Sequence, residues 1–117
     1  MTPPGRTAQT TINRPITMEY PKFILTHRGA LRLGRVTLHR QLLQPGESCY
    51  GGGYYEFDYA SNRLILSGRS TDFGSPQWER FDSIVVPAAY RGLSIVCRTS
   101  DGAEEHALAD ILRIEYD

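Results

Sequence analysis

The chain has 117 residues, 40% hydrophobic and 22% charged, the balance of one ordinary globular domain that needs no disulfide or metal staple. Thirteen Lys and Arg offset thirteen Asp and Glu, which argues against a general binder of nucleic acid or acidic membrane. No apolar run approaches the ~20 residues that span a bilayer, and the first residues lack the apolar core of a secretory signal. Two cysteines, Cys49 and Cys97, suit a reducing compartment, so a soluble, cytoplasmic protein is expected.

Residues 1–17 are rich in Thr, Pro and small polar types without hydrophobic period. They are expected to be a disordered tail ahead of a domain over 18–117, with Met18 a second possible start. Lys22 to His27 is a short apolar run of β formers, expected as a buried strand, and Gly29 marks a turn. Leu31 and Leu33 alternate with Arg32, but the phase slips at Val36 and Leu38, which predicts a bulge or break at Gly34–Arg35. His39 lies just beyond. Leu38, Leu42 and Leu43 suit a strand or a short helix equally, stopped by Pro45–Gly46.

From Tyr54 to Tyr59 aromatic and acidic residues alternate; Ala60–Arg63 has turn chemistry, and Leu64–Ser67 is apolar. This predicts a β-hairpin. Ser75 then resembles an N-cap, with Pro76 at the first helical position and Trp78, Phe81 and Val85 along one stripe. An amphipathic helix is expected there, ending at Pro87. Leu93–Arg98 predicts a strand and Ser100–Asp101–Gly102 a turn, while the segment from Leu108 to Tyr116 fits helix or strand. The sum is an α/β (α+β) single domain: a mixed, largely antiparallel sheet of five or six strands with about two packed helices.

Charge is uneven. Lys22, Arg28, Arg32, Arg35 and Arg40 fall in a stretch without acidic residues, either as the lining of an anion site or as a solvated strand face. The C-terminal stretch is acidic. Several chemistries are excluded by spacing. A cysteine phosphatase needs Arg six positions after its Cys, where Tyr55 and Ala103 stand. A nucleophile elbow on Ser70 needs glycine at Asp72. His27, His39 and His106 lack tight metal-ligand spacing, and no Walker or dinucleotide motif is present, so no cofactor is expected.

One stretch is more specific. Cys49, the triplet Gly51–Gly52–Gly53, the expected hairpin, and Gly68–Arg69–Ser70–Thr71–Asp72–Phe73–Gly74 follow one another without a gap. Upstream lie Pro21–Lys22–Phe23 with Ile24–Leu25, and His39. In this order the blocks resemble the Janus/Ocnus family, whose best-known members are phosphohistidine phosphatases; the resemblance covers about residues 20–97. It implies a metal-independent phosphohydrolase acting on a phosphoramidate, protein phosphohistidine or a small molecule. The general base would be His39. Phosphate would be held by Lys22 and by the backbone of Gly51, Gly52, Gly53, Ser70, Thr71 and Asp72, with the Ser70 hydroxyl. The chain departs from the family at three places. Tyr54 stands where an Arg helps to hold phosphate, Trp78 where a His follows, and Asp72 where a small uncharged residue is usual. Arg69 or Arg35 would then replace the missing guanidinium. The departures also leave open a non-catalytic relative that binds an anionic ligand or a protein partner, and an interaction module that uses a sheet edge.

Overall fold

A computed structural model describes residues 18–99 and 101–117; the expected tail over 1–17 lies outside the described residues. Six strands form the main sheet: β1 (Tyr20–Thr26), β2 (Leu31–Val36), β3 (Cys49–Asp58), β4 (Arg63–Ser67), β6 (Ser94–Arg98) and β7 (Glu105–Ala107). Their order is β2-β1-β3-β4-β6-β7, with every pair antiparallel except β4 and β6. The remaining two, β5 (Ser83–Val86) and β8 (Arg113–Tyr116), pair in parallel as a small second sheet.

The mixed, largely antiparallel sheet matches the sequence reading; the helices do not. Among the described residues there is no α-helix, only 3-10 turns at His39–Leu42, Trp78–Arg80, Ala88–Tyr90 and Leu108–Asp110. The helix expected after Ser75 is a 3-10 turn followed by β5. Trp78 and Phe81 do pack against the core, which is why they share a stripe. The following Ile84–Val85–Val86 run loses side-chain freedom in a helix and favours a pleated strand. Ile84 and Val86 point into the core with 1% and 0% exposure. The C-terminal ambiguity resolves into both forms, a 3-10 turn and then β8. Among the described residues, no helix is long and apolar enough to cross a membrane.

β1 is buried from Lys22 through Thr26, because both faces of the sheet are covered there. On one face Phe23 and Leu25 join Leu64, Leu66, Ile84 and Leu108 in the apolar core beneath the small sheet. On the other, Lys22, Ile24 and Thr26 are buried near the His39 turn.

The break expected at Gly34–Arg35 is absent: β2 pairs residue for residue with β1 from Val36 to Leu31. Its apolar phase slips because its two faces meet different neighbours, Leu33 packing against the core and Gly34 under the Leu42 side chain. The irregularity falls instead in β3. Ile24 opposes Gly52 and Thr26 opposes Cys49, so β3 carries one extra residue there. Gly51 supplies the required left-handed backbone at φ 104°.

The β3–β4 hairpin forms as expected, with Tyr54 opposite Ser67 and Asp58 opposite Arg63. Of the turn expected at Ser100–Asp101–Gly102, Ser100 lies outside the described residues; Gly102 donates its N–H to the Thr99 carbonyl at 2.9 Å.

Candidate functional site

The face of β1 that carries Lys22 also carries Tyr20, two residues back, and Tyr54, directly across on β3. Over this face lies the segment from Thr37 to Leu42. Gln41 Oε1 accepts the N–H groups of Thr37 and Leu38 at 3.0 and 2.8 Å, closing the turn on itself. Lys22 Nζ donates to the Thr37 carbonyl oxygen. Behind the turn, Arg32 grips the Glu47 carboxylate with two nitrogens and donates to the Leu42 carbonyl at 2.9 Å. That pairing holds the Glu47 carboxyl down to about 2, and it makes Arg32 part of the frame.

The turn delivers His39 to β3. Its Nε2 lies 2.8 Å from the Gly53 carbonyl oxygen. A carbonyl only accepts, so Nε2 carries the hydrogen, and in the neutral ring Nδ1 keeps its lone pair. The imidazole is 4% exposed. Burial pushes its pKa below the ordinary histidine value; the Gly53 carbonyl opposes, Lys22 adds to the fall, and Asp72 opposes. The ring is therefore neutral at pH 7, as a base must be. Lys22 and Asp72, well separated from His39 in sequence, both act on the charge of its ring.

Gly52 allows the close fit. A Cβ there would stand 2.4 Å from the Phe23 carbonyl oxygen and 3.2 Å from His39 Cδ2, the first of these against backbone that cannot swing aside. Gly52 also anchors the loop after β4. Its N–H donates to the Gly74 carbonyl at 3.1 Å, and its carbonyl accepts the Ser70 N–H at 3.0 Å. Phe73 N–H donates to Ser70 Oγ at 3.1 Å. The 70–74 loop is thus stapled to the residue next to the one that holds the histidine.

The expected phosphate donors divide. The N–H of Gly52 is spent within the protein on the Gly74 carbonyl, and Gly51 turns its N–H toward the Cys49 thiol, which lowers that group's pKa against burial. Ser70 is fully buried, its N–H used and its hydroxyl accepting from Phe73. These three residues shape the loop. Thr71 and Asp72 are exposed, and their N–H groups meet no protein acceptor among the described residues. Arg69 is exposed and forms no ion pair among the described residues. Arg35 pairs with Pro21 in register, which puts it on the face away from Lys22, and it donates to the Glu19 carbonyl at 3.3 Å. As a substitute cation it is misplaced.

Lys22 is 8% exposed, and among the described residues no carboxylate pairs with it. A buried ammonium usually has an anionic partner. Here one hydrogen goes to Thr37, and Tyr20 and Tyr54 present their rings, each centroid 6.0 Å from Nζ. Tyr54 also meets the His39 ring edge-on at 5.4 Å. Sequence reasoning marked Tyr54 only as a departure and overlooked Tyr20, although its two-residue spacing from Lys22 was a usable signal.

Trp78, the other aromatic departure, is elsewhere. It stacks on Phe23, centroids 6.0 Å apart, on the opposite face of the sheet. There it helps to line a cleft of about 220 Å³ with Phe23, Leu66, Pro76, Cys97 and Ile111. His39 does not touch that cleft. Burial pushes the Cys97 thiol up to about 12, which leaves it protonated at neutral pH and a poor nucleophile. No group of three or more His, Cys, Asp or Glu gathers as a metal site among the described residues.

Comparison of the chain with family models, with curated proteins and with solved structures finds no match.

Proposed function

We propose that this chain is a phosphohydrolase that cleaves a phosphoramidate such as protein phosphohistidine, with His39 as general base and no metal in the step. The observation that carries the reading is the Nε2 contact of His39 with the Gly53 carbonyl, which leaves Nδ1 as the basic atom of a ring whose charge is influenced by Lys22, an ammonium without a carboxylate partner among the described residues. The ordered blocks Pro21–Phe23, His39, Cys49–Gly53 and Gly68–Gly74, similar to those of the Janus/Ocnus phosphatases, support it independently.

Phosphoryl transfer leaves the protein mainly to position the group and to stabilise charge on its oxygens. Lys22 and the free Thr71 and Asp72 N–H groups meet those oxygens. Water attacks phosphorus, and its proton passes to His39 Nδ1 as the P–O bond forms. The P–N bond breaks, its electron pair stays on the leaving nitrogen, and that nitrogen is protonated by solvent. Orthophosphate and the free imidazole or amine leave. The Asp72 carboxylate, which favours the protonated ring, stabilises the imidazolium before it returns its proton to water.

The test is release of orthophosphate by the full chain from a histidine-phosphorylated protein. His39→Ala should lower the rate by about 10²–10⁴ with the fold kept; unchanged turnover in that variant rejects the assignment. One observation favours a second reading, capture without turnover: at Lys22 a phenol ring, Tyr54, stands where the phosphatases have a second cation, and Asp72 adds a negative charge nearby. Saturable binding of the phosphorylated protein with no orthophosphate released would select that reading.

A further inference from the structure

Two aromatic rings flank the Lys22 ammonium. Tyr20 and Tyr54 are on the same face of the sheet, one two residues before Lys22 and the other directly across from it. Both centroids are 6.0 Å from Nζ. The rings are 46% and 36% exposed whereas Lys22 is 8% exposed, so solvent reaches the rings far more readily than the charge. An anion held at Nζ would lie within reach of both rings. Tyr54 in addition meets the His39 ring in a T-shaped contact, centroids 5.4 Å apart, which places it beside the general base as well as the phosphate cation.

We propose that Tyr20 and Tyr54 form a specificity-determining pair that selects phosphoryl donors whose leaving group is a flat aromatic ring, imidazole above an alkylamine. The inference rests on the phosphohydrolase reading and adds to it the residues that choose the leaving group. A phosphoryl group on Lys22 carries its leaving group back toward solvent, between or along the two rings. A planar heterocycle stacks there or meets a ring edge-on, whereas a flexible alkylamine gains little from either geometry. A guanidinium at position 54 would add charge for the phosphate oxygens and take away half of that aromatic wall. Tyr54 therefore exchanges strength of phosphate binding for discrimination in what the phosphate is attached to.

The experiment compares two small donors on the full chain, phosphoimidazole and an N-phosphorylated alkylamine. Each kcat/KM is divided by that donor's spontaneous hydrolysis rate, which removes intrinsic reactivity. The expected preference for phosphoimidazole is about tenfold. Tyr20→Ala and Tyr54→Ala should each raise KM for phosphoimidazole severalfold and bring the ratio of the two donors' corrected kcat/KM values toward one, while Tyr54→Phe, which keeps the ring, retains the preference. Tyr54→Arg should narrow the preference and tighten inhibition by orthophosphate. Thermal melting and the His39 ring resonances verify that each variant keeps the fold. Turnover of both donors with a ratio that neither Tyr→Ala change moves overturns the ring pair and leaves the phosphohydrolase standing. No turnover of either donor overturns both.

Discussion

The two faces of the main sheet use one set of strands for opposite purposes. The core face is covered by the β5–β8 sheet, and its residues Phe23, Leu64, Leu66, Ile84 and Leu108 are almost wholly buried and apolar. The other face is covered by the His39 turn, and beside Ile24 it buries the polar Lys22, His39 and Thr26. Burial of the first kind stabilises the fold through apolar area removed from water. Burial of the second kind is costly unless each polar group finds a partner, and Lys22 keeps donors unmatched by any carboxylate among the described residues. The stable face holds still the face where the chemistry is proposed. Phe23 and Lys22, neighbours on β1, belong to different sides of that division.

Cutting into the core should give the largest change in stability and leave the site's electrostatics alone. Leu108→Ala, at a fully buried position, is expected to cost about 2–5 kcal/mol in urea denaturation, with the His39 titration by NMR unmoved. A shifted titration would mean the two faces are not separate.

Gly52→Ala joins the two faces at their backbone. Its Cβ would meet the Phe23 carbonyl at 2.4 Å, so a loss of about 1–3 kcal/mol is expected from overpacking, together with loss of the His39–Gly53 contact. Wild-type stability with the His39 titration intact would show that β1 and β3 can part at no cost.

The next effect is in pH. His39 has its pKa lowered in the fold, chiefly by burial, so as pH falls below about 6.5 the unfolded chain takes up the proton first. Stability is full above that pH and declines below it, a slope that His39→Ala should lack. Activity, if His39 is the base, should hold to lower pH than an ordinary histidine allows. Asp72→Asn removes a charge that favours the imidazolium, so it should move the inflection further toward acid; a move toward alkali would break the assignment of Asp72 to this site.

The smallest expected effect is at the frame. Glu47, held to about 2 by Arg32, contributes stability that is present above the usual carboxylate range and lost as pH falls from about 4.5 toward 2. Because the pair is near the surface the contribution is modest. Glu47→Gln should flatten that part of the acid-stability curve; an unchanged curve would show that the clip carries nothing.

Much of the strand framework was legible in the residues. The apolar run at β1, the alternation and turn chemistry of the β3–β4 hairpin and the strand at β6 depend on local spacing, which survives whatever the rest of the chain does. The segment after Ser75 was not legible, because Trp78 and Phe81 satisfy a helical stripe while the next residues alternate as a strand. A 3-10 turn between them is too short to leave a periodic mark. The slip near Gly34 was misleading, because β2 stays regular and its two faces meet different neighbours only after folding; the extra residue in β3 is a separate feature.

The same division holds at the site. Sequence named Lys22, His39, the glycine triplet and the 70–72 loop through the order of blocks that resembles the Janus/Ocnus family, since each residue taken alone suits a structural role equally well. Only the tertiary structure decided that Gly52 and Ser70 spend their backbone hydrogens internally, that Arg35 is on the wrong face, and that His39 donates through Nε2. It alone set Tyr20 and Tyr54 beside one ammonium. Each of these depends on which groups meet across strands distant in the chain, and on what burial leaves without a partner.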